Sequence, residues 1–385
     1  MEALCKRIAG HQDAMEAFLE KMVNVDSGAD SPEGTDIVAH IIGEKLESLG
    51  FEVSYPGGPV PQKPQHVLGK RKGNGANPKN VMIIGHLDTV FPKGTAAARP
   101  FTKKDGKAFG PGVLDMKSGI TIALFALQSL AEENWAEHNI KVMIAGDEEN
   151  GHPTTNVKEL FMEECKGQDA VFNMETGSMA GTVVVGRRGL GFFDLEIEGI
   201  AAHSGKDAAK GASAIREVCH KIDELYKMER PDEGVSFNAG KIEGGLVANG
   251  IPAHARVWCD LRFTKVESFD YIKDCLEKLG EEVYIPRTKT TMHFNPDAVL
   301  MPMEQTEGNM KLYEVVRQQG EKLGIEVNGI FVGAASDSCW PVMVGSPTVC
   351  AMGARGEFNH SAEEWMLLSS LTERAQLLAL TIQNI

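Results

Sequence analysis

Three consecutive carboxylates follow an apolar run in the stretch 141-KVMIAGDEEN-150. The acids are Asp147, Glu148 and Glu149, and no basic side chain stands directly beside them. Neighbouring like charges repel each other, so some other part of the molecule must compensate them. Carboxylates in such a position can bind a cation or act as a general base. For Asp147 the default interpretation is a loop or capping role.

Other candidate ligands also follow predicted strands. His86 and Asp88 lie where the apolar run 81–86 ends, and Glu175 follows the run 169–174. A carboxylate beside an imidazole can fix its tautomer and leave the second ring nitrogen for a metal. Taken alone, the His86–Asp88 pair is a weak signal, and a histidine that is satisfied within a turn is the more common case. Because sites in open α/β sheets form at the carboxyl ends of strands, three such ends carrying acids or histidines predict a shared site.

Two further candidates lie in glycine-containing loops. Asp115, in 110-GPGVLDMKSG-119, precedes a helix predicted over 116–133 and could be its N-cap. The glycines of this loop would also let the backbone approach a metal closely. His360, in 353-GARGEFNHSAEEW-365, precedes a final helix predicted from Ser361 onward. Its alternative interpretation is an exposed loop histidine.

Alternating strands and helices are predicted to position these residues, which is typical of an α/β sheet covered by helices. The apolar–polar alternation of 182–199 then begins a different pattern of two strands, a helix, two strands and a helix. We therefore predict a small α+β domain at 187–297, inserted into a larger domain formed by 1–186 and 298–385.

Composition argues against several classes of function. The formal charge of −15 disfavours nucleic-acid binding, which needs a basic surface. No run of about 18 apolar residues predicts a membrane span, and residues 1–23 are predicted to form an amphipathic helix. The seven cysteines include no CxxC pair, which favours reduced thiols over a disulfide framework. We therefore expect a cytoplasmic protein without nucleic-acid or membrane partners.

Six motifs in order resemble the M20 family of di-zinc hydrolases, and within it the glutamate carboxypeptidases. The resemblance extends from about residue 15 to about residue 380. The motifs are 85-GHLDTVFPKG-94, 109-FGPGVLDMKSG-119, 146-GDEENG-151, 174-METG-177, 199-GIAAHSG-205 and 353-GARGEFNHSAEEW-365.

The resemblance implies a zinc-exopeptidase-like catalytic domain, with a mixed sheet covered by helices, and a two-layer lid or dimerisation domain. It implies two Zn²⁺ ions, for which Co²⁺ or Mn²⁺ could substitute. One ion would be held by His86 and Glu175, and the other by Glu149 and His360. Asp115 would bridge both ions, and the resemblance also implies a cis peptide bond between Asp115 and Met116.

The catalytic roles implied by the resemblance fall to three residues. Glu148 would be the general base that takes a proton from a water shared by the ions. Asp88 would contact the metal ligands and not the ions themselves. His203, in 199-GIAAHSG-205, would reach into the active site of the other subunit of a homodimer that forms through the lid.

The substrate is expected to be a small molecule or short peptide with a free carboxylate. The resemblance implies that Asn249 and Arg262 bind that carboxylate, for which a planar guanidinium is suited. The alternative for Arg262 is an ion pair on the strand surface. The segment 333-GAASDS-338 departs from the family pattern, and its Asp337 could be structural.

The leading hypothesis is a carboxypeptidase, with glutamate release as the nearest precedent. An N-acyl amino acid deacylase or aminoacylase would use the same catalytic residues and stays an alternative. A non-catalytic metal-binding protein of the same fold is the rival from another class. Its expected signature is a lost base or ligand, but the sequence retains suitable residue types at the base position and all five ligand positions.

Overall fold

The computed structural model describes residues 1–56, 65–152 and 155–385. Two compact units make up this part of the chain. The first comprises Met1–Gly186, Gln305–Phe331 and Ser336–Ile385, and the second comprises Arg187–Glu304 and Val332–Ala335. The assignment of a catalytic domain to 1–186 and 298–385 and of a lid to 187–297 stays a prediction.

Eleven helices and four short 3₁₀ turns occur in the described residues. In chain order the helices are α1 (Glu2–Ala9), α2 (Gln12–Val23), α3 (Pro32–Ser48), α4 (Thr95–Ala98), α5 (Lys117–Glu132), α6 (Val157–Cys165), α7 (Ala214–Lys227), α8 (Ser268–Glu281), α9 (Glu307–Leu323), α10 (Cys339–Met343) and α11 (Ser369–Gln383).

The strands vary from two to ten residues in length. In chain order they are β1 (Glu52–Ser54), β2 (Val67–Arg71), β3 (Asn80–His86), β4 (Thr102–Lys104), β5 (Lys107–Phe109), β6 (Asn139–Ala145), β7 (Ala170–Asn173), β8 (Val183–Arg187), β9 (Gly189–Glu198), β10 (Ala202–His203), β11 (Ser236–Gly244), β12 (Gly250–Ile251), β13 (His254–Phe263), β14 (Lys289–Phe294), β15 (Gly329–Val332), β16 (Thr348–Val349), β17 (Gly356–Glu357) and β18 (Trp365–Leu367).

A six-stranded mixed sheet with the order β1-β2-β6-β3-β7-β16 lies at the centre of the first unit. Strands β6, β3, β7 and β16 are parallel, while β1 and β2 add antiparallel pairs at one edge. The central strand β3 is buried along all but its first residue. Such continuous burial requires cover on both faces, as in α/β proteins. The predicted mixed sheet covered by helices is confirmed.

Helix α5 packs deep in the first unit, between β3 and the helices α2 and α11. Its glycine, Gly119, lies directly against the strand end that leads to Glu175. A Cβ atom at Gly119 would be 1.9 Å from the carbonyl oxygen of Met174. Only a residue without a side chain allows the helix and the strand end to approach so closely.

The second unit has two layers. Its antiparallel sheet has the order β11-β13-β9-β14, and helices α7 and α8 pack against it. Buried and less buried residues alternate along β9 and β13, because one face of the sheet meets the helices. A separate apolar core, which includes Leu195, Val257 and Leu276, fills the space between the layers.

Two predicted helices differ from the structure. The helix predicted over residues 1–23 is two helices, and Gly10 ends the first of them. The last helix begins at Ser369 instead of Ser361, because Trp365–Leu367 pairs with β5 and β17 as strand β18. Among the described residues, none of the helices is both long and apolar enough to span a membrane.

Candidate functional site

Candidate residues of the first unit lie at the edge of the main sheet where the carboxyl ends of its parallel strands meet. Strands β6, β3 and β7 are adjacent and parallel, so their carboxyl ends meet at the same edge. His86 ends β3, Glu148 and Glu149 begin the 3₁₀ turn after β6, and Glu175 follows β7. This is the position where α/β sheets form their sites.

Asp115 lies between two histidines. Its Oδ1 is 3.2 Å from Nε2 of His86, and its Oδ2 is 3.1 Å from Nε2 of His360. Glu175 Oε1 lies 3.8 Å from the same nitrogen of His86, and Glu149 Oε2 lies 3.2 Å from that of His360. The five residues form two groups that share one carboxylate, which is the grouping that the resemblance implies.

The N-cap alternative for Asp115 is wrong. Met116 takes the position before helix α5, and no side chain caps that helix. The peptide bond between Asp115 and Met116 is cis, as expected. Both carboxylate oxygens of Asp115 instead contact histidines, and Asn359 Nδ2 adds a hydrogen bond of 3.1 Å to Oδ2.

Asp88 lies beneath the acids of the β6 turn. The backbone N–H groups of Glu148 and Glu149 donate to its two oxygens at 3.1 and 3.0 Å. Its Oδ1 is also 3.4 Å from Nδ1 of His86. Since Asp88 is only 1% exposed, these contacts fix both the imidazole and the start of the turn.

The ionisable groups of the site shift each other's pKa values strongly. Burial lowers the pKa of His86, but hydrogen bonds to Asp115 and Asp88 outweigh burial and raise this pKa well above its usual value. Asp115 and Glu149 raise the pKa of His360 to about 10. Burial raises the pKa of Glu148 well above its usual value, and neighbouring carboxylates add to this despite His86. Such an excess of carboxylates suits a cationic ligand.

Two sets of side chains could each hold a metal ion, because their ligand atoms lie within 4.8 Å of one another. One set is His86, Asp115 and Glu149, and the other is His86, Glu148 and Glu175. Ligation by imidazole and carboxylate alone suits Zn²⁺, and also Co²⁺ or Mn²⁺. These residue types fit the expected divalent ions, but the two sets differ from the expected grouping, since both contain His86, one contains Glu148 and neither contains His360.

The structure adds supporting residues that sequence reasoning missed. Glu364 accepts hydrogen bonds from the backbone N–H groups of Gly112, Leu114 and Asp115, at 2.9, 2.8 and 2.9 Å. These bonds hold the loop that carries Asp115. Glu364 lies close to His360 in the sequence, but no pattern there indicates that it reaches a loop some 250 residues earlier.

Asp147 belongs to a second buried cluster beside the site. Its carboxylate contacts Nδ1 of His152 at 2.8 Å, and Nε2 of His152 contacts Asp337 at 2.7 Å. Asp147 takes the position before the 3₁₀ turn, but its side chain makes no capping hydrogen bond and contacts His152 and Thr155 instead. A structural role is the expectation for Asp337 from the sequence. Its side chain is 2% exposed and also accepts a hydrogen bond from Trp340.

His203 and Asn249 come together within the second unit. His203 ends β10 and pairs with Gly250 of β12, and Ser204 donates to the backbone carbonyl of Asn249. Nδ1 of His203 accepts a hydrogen bond of 3.1 Å from the N–H of Gly205. A neutral imidazole with Nδ1 as acceptor has its proton on Nε2, which can then donate to an oxygen.

Arg262 already has a carboxylate partner in the second unit. Its Nε and Nη2 lie 3.0 and 2.9 Å from Oδ2 of Asp260, and Nη1 donates to the carbonyl of Gly333 at 3.2 Å. The strand-surface ion pair considered from the sequence is therefore present. A substrate carboxylate would have to share or replace Asp260 as the partner of Arg262.

The chain matches a known protein family. The model of peptidase family M20/M25/M40 matches residues 82–384. The chain belongs to this family. This M20 protein is therefore a hydrolase of the metallopeptidase type, and the resemblance recognised in its motifs is confirmed.

Named relatives of this M20 protein cover different shares of it. Carboxypeptidase G2 from Pseudomonas sp. (strain RS-16) is 28% identical over 97% of the chain and 90% of its own length. Succinyl-diaminopimelate desuccinylase from Rickettsia typhi is 30% identical over 53% of the chain and 57% of its own length. The crystal structure of aminopeptidase PepT from Bacillus cereus covers 98% of both chains with a TM-score of 0.79 at 21% identity, which shows a shared fold.

Proposed function

We propose that this M20 enzyme hydrolyses the amide bond next to a C-terminal amino acid. The observation that carries the proposal is Asp115, whose two carboxylate oxygens each contact a different histidine. A carboxylate placed in this way can bridge two ions, with His86 and Glu175 on one side and Glu149 and His360 on the other. We propose two Zn²⁺ ions for these ligands, and Co²⁺ or Mn²⁺ could replace them.

The ions would supply charge that lowers the pKa of a water and polarises the scissile carbonyl. The other steps fall to the protein. Glu148 accepts the proton of the attacking water and returns it to the leaving amine, a role for which a raised pKa is suitable. Asp88 holds the backbone of Glu148 and orients His86, so that base and ligand keep a fixed geometry.

Substrate selection is assigned to the second unit. We propose that Nε2 of His203 donates to the scissile carbonyl oxygen, which is supported by the hydrogen bond that Nδ1 accepts from Gly205. Asn249 and Arg262 would bind the α-carboxylate of the substrate, and glutamate is the nearest precedent for the released residue. We propose that the enzyme is a homodimer formed through this unit, and that each subunit provides His203 to its partner.

Hydrolysis of N-acyl amino acids is the second candidate. It is favoured by the similarity to succinyl-diaminopimelate desuccinylase, whose name describes removal of an acyl group from an amine. The same base and metal ligands would serve both reactions, so only the substrate distinguishes them.

We also propose that the enzyme acts in the cytoplasm on small molecules or short peptides, without nucleic-acid or membrane partners. Among the described residues, no two cysteines form a disulfide, which supports a reducing compartment.

A substrate panel tests the proposal. The zinc-loaded enzyme is assayed on acyl-glutamates, dipeptides and N-acetyl amino acids, each paired with a version whose α-carboxylate is amidated. We expect acyl-glutamates or dipeptides to be cleaved, and amidation to lower kcat/KM by about tenfold or more, because a charged hydrogen bond is lost. Preference for acetyl-amino acids would favour the deacylase. Bound metal without turnover on any substrate would support the non-catalytic rival.

A further inference from the structure

Three ionisable side chains lie buried beside the metal cluster without belonging to it. Asp147, His152 and Asp337 are 3%, 4% and 2% exposed. The imidazole of His152 lies between the two carboxylates, 2.8 Å from Oδ1 of Asp147 and 2.7 Å from Oδ1 of Asp337. Isolated buried charges are costly, and the imidazole links the two carboxylates, although Oδ2 of Asp337 is buried without a hydrogen-bond partner among the described residues.

The hydrogen bonds around His152 favour its protonated form. Asp337 Oδ1 also accepts from Trp340 Nε1, which can only donate, and Asp147 Oδ2 accepts from the hydroxyl of Thr155 at 2.8 Å. Both carboxylates therefore act as acceptors. A histidine that donates from both ring nitrogens is an imidazolium. Burial lowers the pKa of His152, but the two carboxylates outweigh burial and raise it to about 10.

The cluster connects two segments that are far apart in sequence. Asp147 and His152 bracket the turn that carries Glu148 and Glu149, and the N–H of His152 donates to the carbonyl of Asp147 at 3.1 Å. Asp337 and Trp340 belong to the segment that enters helix α10. The imidazolium thus fastens both ends of the turn to a separate part of the first unit.

We propose that His152 is a positioning residue for Glu148 and Glu149, acting through its charged bridge between Asp147 and Asp337. The inference rests on the proposed function for the roles of Glu148 and Glu149. The claim that His152 orders the turn does not depend on that function. The ring nitrogens of His152 contact Asp147 and Asp337. His152 limits the movement of the turn, so that the base and its neighbouring ligand keep their separation from His86 and His360.

His152→Asn is the main test. The residue has φ of 59°, and asparagine tolerates this left-handed conformation, so the backbone is retained while the bridge is lost. We expect amide hydrogen exchange in 146–152 to rise by about tenfold or more. Affinity for added Co²⁺ should fall by about tenfold, because the loosened turn also carries the proposed ligand Glu149.

Two other variants complete the test. His138→Asn changes a similarly buried histidine just before the amino end of β6, and it should leave the exchange of 146–152 and the Co²⁺ affinity unchanged. Asp337→Asn retains the hydrogen bonds but removes one charge, and it should give an intermediate increase in exchange. Should His152→Asn fail to fold, Asp337→Asn decides the question on the same measurements.

Kinetic measurements distinguish a positioning role of His152 from a role in stability alone. In the folded fraction of His152→Asn, kcat should fall by about tenfold or more while KM stays within about twofold, because the turn carries the base and not the substrate contacts. Unchanged exchange in 146–152 in both variants would overturn the inference. If the unaltered enzyme neither binds Co²⁺ nor cleaves any panel substrate, the proposed function fails instead, and the exchange data still test the bridge.

Discussion

Glu148 and Glu149 are adjacent in the chain but have different surroundings. Asp88 receives both backbone N–H groups, which fixes where the two side chains begin. Glu149 contacts His360, whereas burial and nearby carboxylates raise the pKa of Glu148. A group with a raised pKa is suited to take and return a proton near neutral pH. These different surroundings are the basis for proposing Glu149 as a ligand and Glu148 as the base.

Replacing Glu148 with glutamine tests this division. Glu148→Gln keeps the size of the side chain but removes its basicity, so kcat should fall by about 10²–10⁴-fold. Bound zinc, measured by elemental analysis, should remain close to that of the unaltered enzyme. The matched control is Glu149→Gln, which should lose metal as well as activity. A nearly normal kcat for Glu148→Gln would show that it is not the base.

The candidate metal ligands and Asp88 could be predicted from motifs, whereas the contacts of the other supporting residues could not. His86, Asp115, Glu149, Glu175 and His360 stand in recognisable motifs, and the structure brings them together. Glu364, His152 and Asp337 act on loops distant from them in the chain. Nothing in their local spacing indicates such contacts, because only the folded chain makes these residues neighbours.

At the scale of elements, the contact of α5 with the end of β7 determines where Glu175 lies. Gly119→Ala would bring a methyl group onto the carbonyl of Met174, the residue before Glu175. We expect a loss of about 1–3 kcal/mol in the free energy of unfolding, measured with denaturant, because neither backbone can yield easily. Metal affinity should fall as well.

A glycine elsewhere provides the control for Gly119. Gly280 lies inside α8, and the nearest atom to an added Cβ would be at 3.5 Å, an ordinary contact. Gly280→Ala should raise the free energy of unfolding by about 0.5–1 kcal/mol, since alanine is the better helix former. Equal effects of the two substitutions would contradict the importance of the close approach.

The turn between β6 and α6 should make stability depend on pH. In the folded protein the pKa of His152 is raised from 6.5 to about 10, so its contribution is complete below pH 6.5. That contribution is lost as pH rises through 10. The difference in Tm between the unaltered enzyme and His152→Asn should therefore shrink from pH 6.5 towards pH 10. Val157→Ala, a core change without an ionisable group, should shift Tm by a similar amount at each pH.

Element type was predicted better than element boundaries. The apolar strands of the main sheet and the alternating strands of the second unit have clear periodicities. The last helix was predicted too early because Trp365–Leu367 is apolar and suits either structure. Its pairing with β5, more than 250 residues earlier, decides in favour of a strand, and local periodicity does not contain that pairing.

At the scale of the whole molecule, the proposed homodimer makes a prediction about mixed subunits. His203→Ala should lose most activity while retaining zinc, since His203 lies in the second unit and the metal cluster in the first. Mixing it with Glu148→Gln and allowing subunits to exchange should restore part of the activity. Each mixed dimer would contain one site with both an intact base and an intact histidine. No recovery, despite proven exchange, would argue against a shared site.

The two histidines of the cluster differ greatly in exposure, since the side chain of His86 is 2% exposed and that of His360 is 52% exposed. Ions held by His86 and by His360 would therefore be lost at different rates. A chelator should remove the ion beside His360 first, and the buried one only later, giving two kinetic phases of release. Stopping after the first phase and adding another metal would yield a hybrid enzyme, with a different element in each position.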